Sequence, residues 1–192
     1  MWRKPDEANK PDLAGEEFMR KQIPLERALP MWGGLAAGGF RVVTFHKTKK
    51  ISTEEWVATL NSGKLRSALG AVNPQRRRGP WTVLCDGEGF LRASAAKDVY
   101  RAQAISLLQI PARSPDLNPV EKFWAWLRKQ LVASDLADLK ARRATPGKTV
   151  YRERVRRLCH SQRAQTVAGN IARSWHKTCK AVVKAKGAGV RG

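Results

Sequence analysis

Apolar residues from Val120 onward fall at Val120, Phe123, Trp124, Leu127 and Leu131, a spacing that places them on one stripe of an amphipathic helix. Ahead of that stripe, Ser114-Pro115 and Asn118-Pro119 read as turn pairs, because a residue before proline is pushed out of the α region. Pro119 suits the first helical position and Asn118 the N-cap. Glu121 then lies in the first turn, beside the apolar stripe, where the helix N-terminus favours a carboxylate.

Upstream the period changes. Met31–Leu35 and Phe40–His46 read as strands joined by a hairpin at Gly38-Gly39. Ser52 with Glu55 three residues on forms a capping box, opening a helix that carries Trp56, Leu60 and Leu65 inward and runs to about Leu69. Trp81–Cys85 is a short apolar run that reads as a buried strand. Leu91–Ala102 is predicted to be a helix with Ala95 and Val99 inward, and Ala104–Ile110 a strand ended by Pro111. Strand, helix, strand implies a crossover and a parallel pairing of 81–85 with 105–110. Downstream, residues 150–185 read as helical, with a discontinuous stripe of Val150, Val155, Leu158, Val167, Ile171, Trp175 and Val182. Residues 1–28, with Pro5, Pro11 and Pro24, read as an irregular lead-in with a short helix near Glu16–Lys21, and the glycine-rich end from Lys186 as a disordered terminus.

Charge changes this picture. The sequence holds 37 Lys and Arg against 16 Asp and Glu, a formal net charge of +21. From Lys140 to the end, 15 basic residues face the single acid Glu153, so +14 of the +21 sits there. Such a balance suits a polyanion, most commonly a phosphate backbone. A membrane is not the expected partner, since no run of about 18 apolar residues exists, and the first residues lack the apolar core of a secretory signal. Three cysteines (Cys85, Cys159 and Cys179) make no disulfide framework and fit a reducing compartment. A nuclear location in a eukaryote, or a cytoplasmic one otherwise, is therefore expected rather than secretion. The chain divides by composition into a Trp-rich part to about residue 136 and a basic tail, 137–192.

Candidate chemistry sits at the element ends. Asp86-Gly87 follows an apolar strand; on its own it is an ordinary turn pair, and in α/β folds the same position also takes active-site groups. Glu121 follows Asp86 after 34 intervening residues. Arg76, Arg77 and Arg78 form a basic loop, and Arg152, Arg154, Arg156, Arg157 and Arg163 cluster in the tail; both groups are candidates for solvated surface or for phosphate contact. His176 and Cys179 have usable i, i+3 helical spacing for zinc, but the adjacent Cys159 and His160 point in different directions on a helix, so a four-ligand tetrahedral site is awkward. Asp116 reads as a structural residue of the turn.

Ser114–Trp124 resembles the "SPDLNPIENxW" signature of Tc1/mariner and IS630-type DDE transposases. Trp2–Glu7 resembles their "VWRKPGE" segment and Met31-Trp32-Gly33 their "MVWG" strand, in the same order, so the likeness runs from residue 2 to about 133. It implies an α/β, RNase H-like fold with a mixed sheet flanked by helices, spanning 29–136, lacking its first strand and continued by the basic helical tail. It implies metal-dependent DNA strand cleavage and transfer, with Asp86 and Glu121 as catalytic residues and as ligands of Mg²⁺ or Mn²⁺, two ions in an intact member. It implies DNA as partner and a homodimer in a transposition complex. This sequence departs from the family pattern in three ways. The strand carrying the family's first Asp would precede Trp2; Gly87-Glu88-Gly89 replaces an Asn and a Pro-x-His element; and the family's N-terminal helix-turn-helix domains have no counterpart. The alternative expectation is an inactive remnant that binds nucleic acid through its charge.

Overall fold

The computed structural model describes residues 29–47, 50–76, 79–111 and 114–186. The lead-in 1–28 with its expected short helix, Arg77, Arg78 and the glycine-rich end from 187 lie outside the described residues.

Among the described residues four strands form where the period-two and apolar runs placed them: β1 (Met31–Ala36), β2 (Gly39–Phe45), β3 (Trp81–Cys85) and β4 (Ile105–Gln109). β1 and β2 pair antiparallel as a hairpin, and β3 and β4 pair parallel from Trp81 with Ile105 to Cys85 with Gln109. The strands make two two-stranded sheets among the described residues, where one mixed sheet was expected. Within the hairpin the register shifts between Gly34 and Leu35, leaving Arg41 as an extra residue on β2. A bulge of this kind rotates the strand locally. It lets Phe40 and Val42, two residues apart, enter different cores.

Among the described residues seven helices surround the strands: α1 (Thr53–Asn61), α2 (Lys64–Val72), α3 (Gly89–Arg92), α4 (Ser94–Ala102), α5 (Pro119–Lys140), α6 (Lys148–His160) and α7 (Gln162–Lys184). The single helix expected from Ser52 to Leu69 is two, because Gly63 adopts a left-handed φ of +74° and starts a new axis. Ser52 Oγ accepts the Glu55 N–H at 3.1 Å as expected, but the Glu55 carboxylate turns to the Lys47 N–H at 3.1 Å instead of closing the box. It also lies 3.2 Å from His46 Nδ1, so α1 is tied to the end of β2. The helix expected over 91–102 is interrupted at Ala93, whose ψ of 145° is not helical. That restart shifts the inward face to Ala96 and Tyr100 and leaves Ala95 exposed.

One core gathers Val42, Trp56, Leu60, Leu65, Cys85, Leu91, Tyr100 and Ile105 beneath α1 to α4. Trp56 is its centre, buried to 1% with its indole N–H donating to the Tyr100 hydroxyl at 2.6 Å. Burial pushes that phenol up to about 12, the indole hydrogen bond opposing it, so it stays neutral. The second core joins Phe40, Phe123, Leu127, Val155, Cys159, Ala164 and Ala168, which places α6 and α7 against β2 and α5. Val150, expected on the inward stripe, is exposed; the close contacts come from small residues instead. A Cβ at Gly169 would stand 2.8 Å from the Ala37 carbonyl oxygen, so α7 lies directly on the hairpin turn. Among the described residues no helix is long and apolar enough to cross a membrane.

Arg154 bonds Asp135 at 2.8 Å and, more tightly, Asp138, which also accepts from Arg143 at 3.0 Å. The Arg154 and Arg143 hydrogen bonds hold the Asp138 carboxyl below the usual aspartate range. A depressed folded-state pKa gives stability that is present above the ordinary aspartate range and is lost as pH falls through the folded value. Asp138→Asn should therefore cost stability at neutral pH, and its gap from the parent chain should close on acidification, as measured by urea midpoints across the acid limb.

Candidate active site

β3 ends at Cys85, whose carbonyl accepts the Ile110 N–H at 2.9 Å and fixes the strand end. Asp86 follows directly, half-buried. Burial first, and then the neighbouring Asp86 charge, push the Cys85 thiol up to about 11. The thiol is therefore a weak nucleophile at neutral pH.

Glu121 is set by the motif before it. Asn118 caps α5, its side chain accepting the Val120 N–H at 3.3 Å, with Pro119 at the first helical position. The Glu121 N–H donates to the Asn118 carbonyl at 3.1 Å. The preceding turn, Pro115–Leu117, is clamped from the tail: Trp175 Nε1 donates to the Leu117 carbonyl at 3.0 Å. Below, Phe123 is fully buried and stacks on Phe40 with centroids 4.3 Å apart. The first turn of α5 is thus held at the cap, at the loop and in the core, while the Glu121 side chain is exposed. Asp116 sits in the Pro115–Leu117 turn, as its position in the motif suggested.

Asp86 and Glu121 line one cleft of about 920 Å³. Its walls are β1, β3, α2 and the facing parts of α5 and α7. Three charged residues not singled out from the sequence also line it: Arg41, Lys50 and Glu88. Glu88 could have been suspected from its place two residues after Asp86. Arg41 could not, because only the register shift in the hairpin reveals it as the extra residue. Its Nε is buried and has no hydrogen-bond partner among the described residues.

Two carboxylates give hard oxygen donors of the kind that Mg²⁺ and Mn²⁺ take. Among the described residues no group of three or more His, Cys, Asp or Glu side chains could together hold a metal. Of the tail residues considered for zinc, Cys159 is wholly buried, and burial pushes its thiol up to about 12.

The arginines are differently placed. Arg76 ends the single turn Pro74–Arg76, while its neighbours Arg77 and Arg78 lie outside the described residues. Arg152 and Arg156 both lie over the Phe45 ring, 5.4 Å from its centroid, and Arg156 also bonds Glu153 at 2.5 Å. Arg157 is exposed. Arg154, expected on the same solvent-facing cluster, is turned into ion pairs with α5.

A family model described as a DDE superfamily endonuclease matches residues 8–142. The transposase of transposable element Tcb1 from Caenorhabditis briggsae is 31% identical over 110 residues, which is 56% of this chain and 36% of that protein. The chain therefore spans just over a third of the length of that curated relative. A structure of the Mos1 transposase catalytic domain with raltegravir and Mg superposes with a TM-score of 0.60 at 17% identity, covering 92% of this chain and 90% of that one. A pre-cleavage Mos1 transpososome gives 0.61 at 17% identity, over 81% of this chain and 43% of that one. At such identities the likeness concerns the fold, which is the RNase H-like α/β fold of that catalytic domain.

Proposed function

The chain belongs to the DDE superfamily endonucleases, and from that premise we propose that it is the catalytic portion of a Tc1/mariner-type transposase, acting in metal-dependent cleavage and transfer of DNA strands. The observation that carries this reading is that Asp86 and Glu121 line one cleft, one from a strand end and one from a capped helix start. The Mos1 relatives solved with Mg and with Mn support a divalent ion, and the Mos1 transpososome and paired-end complex support DNA as substrate and a paired assembly as context.

In this reading Asp86 and Glu121 are the acids that hold Mg²⁺ or Mn²⁺. When bound, two such ions supply activation of the attacking hydroxyl and charge stabilisation at the leaving oxygen of a phosphodiester. The chain's own part is positional. The Cys85–Ile110 backbone bond sets where Asp86 begins, and the Asn118 cap with the Trp175 clamp sets where Glu121 points. Arg76, Arg77, Arg78, Arg152, Arg156 and Arg157 are assigned to the DNA backbone, where basic side chains position the duplex without reading its sequence.

A second reading rests on a different observation: although Glu88 lines the same cleft, the described residues include no group of three or more His, Cys, Asp or Glu side chains that could together hold a metal. In it the chain binds DNA and does not cut it. Nicking of supercoiled plasmid with Mg²⁺ or Mn²⁺ separates the two. The first reading expects nicking that Glu121→Gln and Asp86→Asn each reduce by at least roughly 100-fold, since even groups that merely orient metal ligands cost about 10–100-fold when changed. DNA binding without nicking by the parent chain supports the second, and nicking that survives both substitutions contradicts the first.

A further inference from the structure

α7 carries a charge pattern that the acid pair does not use. Its 23 residues contain no Asp or Glu. At about 100° per residue, Arg173, Lys177, Lys180 and Lys184 fall in one row, opposite the Ala164, Ala168 and Trp175 side that packs on the rest of the fold. All four basic residues are exposed. Arg173 is tied down, donating to the Ala37 carbonyl at 2.5 Å and to Asn170 Oδ1 at 2.8 Å. The three lysines are not: among the described residues none of them is in an ion pair, whereas Arg101, Arg143, Arg154 and Arg156 each face a carboxylate. Lys177 with Lys180 and Lys180 with Lys184 are neighbours on the helix surface, where like charges repel. Cations held side by side in this way suit a partner that brings several anions at regular spacing.

The row starts beside the acid cleft. Two residues before Lys177, Trp175 lines that cleft and donates to the Leu117 carbonyl, in the turn that leads to Glu121. This is not the arginine surface of α6. Arg152 and Arg156 lie over Phe45, the last residue of β2, while α7 crosses the other end of the hairpin at Ala37 and Gly39. The length of β2, roughly 20 Å at about 3.3 Å per residue, lies between the two anchor points. From Lys177 to Lys184 the helix rises about 10 Å. One strand of a duplex presents a phosphate about every 3.4 Å of axis, so the lysine row matches about three of them.

We propose that the outward face of α7 is a duplex-DNA contact on the acid side of the molecule: Lys177, Lys180 and Lys184 hold about three consecutive phosphates of one strand and lead that strand past the Leu117 turn to Glu121. The identity of the polyanion rests on the strand-cleavage reading, to which this face adds three residues and a direction of approach.

The test is fluorescence anisotropy on a duplex without any special sequence, with the full chain in EDTA. Lys177→Gln, Lys180→Gln and Lys184→Gln together should make the log–log salt slope shallower by about 2.7, three contacts at about 0.9 each. The same three lysines changed to Arg should keep the parent slope. Lys64→Gln, Arg66→Gln and Lys97→Gln together remove the same charge from exposed positions elsewhere and should change the slope by less than about 1. Glu121→Gln should tighten this metal-free binding by roughly twofold or more in the parent chain, because a carboxylate leaves the path of the strand, and should not do so in the α7 triple variant. The proposal is overturned if the α7 glutamines leave the slope unchanged, if the control glutamines lower it as much, or if Glu121→Gln acts equally with and without the lysines. It is also overturned if the α7 glutamines weaken binding to anionic vesicles and not to duplex DNA. Every readout is metal-free, so absent nicking with an intact α7 effect would sink the cleavage reading alone, and nicking without the α7 effect would sink only this one.

Discussion

Phe123→Ala is expected to lower the unfolding free energy by about 3–5 kcal/mol, the range for removing a large buried aromatic ring. Phe123 is fully buried, stacks on Phe40 at 4.3 Å and 16°, and packs edge-to-face with Trp124 at 5.6 Å and at a tilt with Trp126 at 5.4 Å. Its ring joins α5 to β2 within the core that also receives α6 and α7, so the cavity opens where the second core is held together. Urea denaturation measures the loss. Leu139→Ala, on the same helix but 72% exposed, is the control and should stay within about 0.5 kcal/mol. Because Phe123 lies two residues after Glu121, the variant should also loosen the first turn of α5. On the proposed strand-cleavage reading, plasmid nicking should then fall even below the melting transition.

The second large effect is on DNA affinity. A net charge of +21, with most of it after Lys140, should make binding to duplex DNA steeply salt-dependent. A protein that neutralises six to ten phosphates loses roughly 10³–10⁵ in affinity between about 50 and 200 mM salt. A loss of about a thousandfold over that interval, followed by fluorescence anisotropy on a duplex without any special sequence, is the expected result. Arg157→Gln should reduce the log–log slope by about 0.9, as one lost phosphate contact does. Arg154→Gln should leave the slope unchanged and cost stability, because that guanidinium is already bonded to Asp135 and Asp138. A shallow slope in the parent chain would mean that the arginines lying over Phe45 and around it are not presented to the phosphate backbone.

The elements whose boundaries depend on local chemistry were legible in the sequence. The hairpin, the apolar strand before Asp86, its parallel partner and the proline-led start of α5 all follow from turn residues, periodicity and capping. The positions of Asp86 and Glu121 were legible for the same reason, since both sit at element ends marked by Gly87 and by Asn118-Pro119. What depended on long-range packing was not. Nothing in the run from Ser52 to Leu69 announces that Gly63 breaks the helix, because a single glycine is compatible with either outcome. The inward face of α4 moved from Ala95 to Ala96 and Tyr100 because the chain restarts at Ala93. Arg41 entered the cleft through a register shift that depends on how β1 and β2 meet. Arg154 looked like its basic neighbours until α5 supplied two aspartates across 16 and 19 residues of chain.

The central claim is that Asp86 and Glu121 act together on a divalent ion. Calorimetric titration of the full chain with Mn²⁺ tests it without requiring turnover. The result expected is saturable binding that Asp86→Asn and Glu121→Gln each weaken by roughly tenfold or more, with the double variant little worse than either single one, as befits two ligands of a shared site. Mn²⁺ binding of equal strength in the parent chain and in both variants would contradict it.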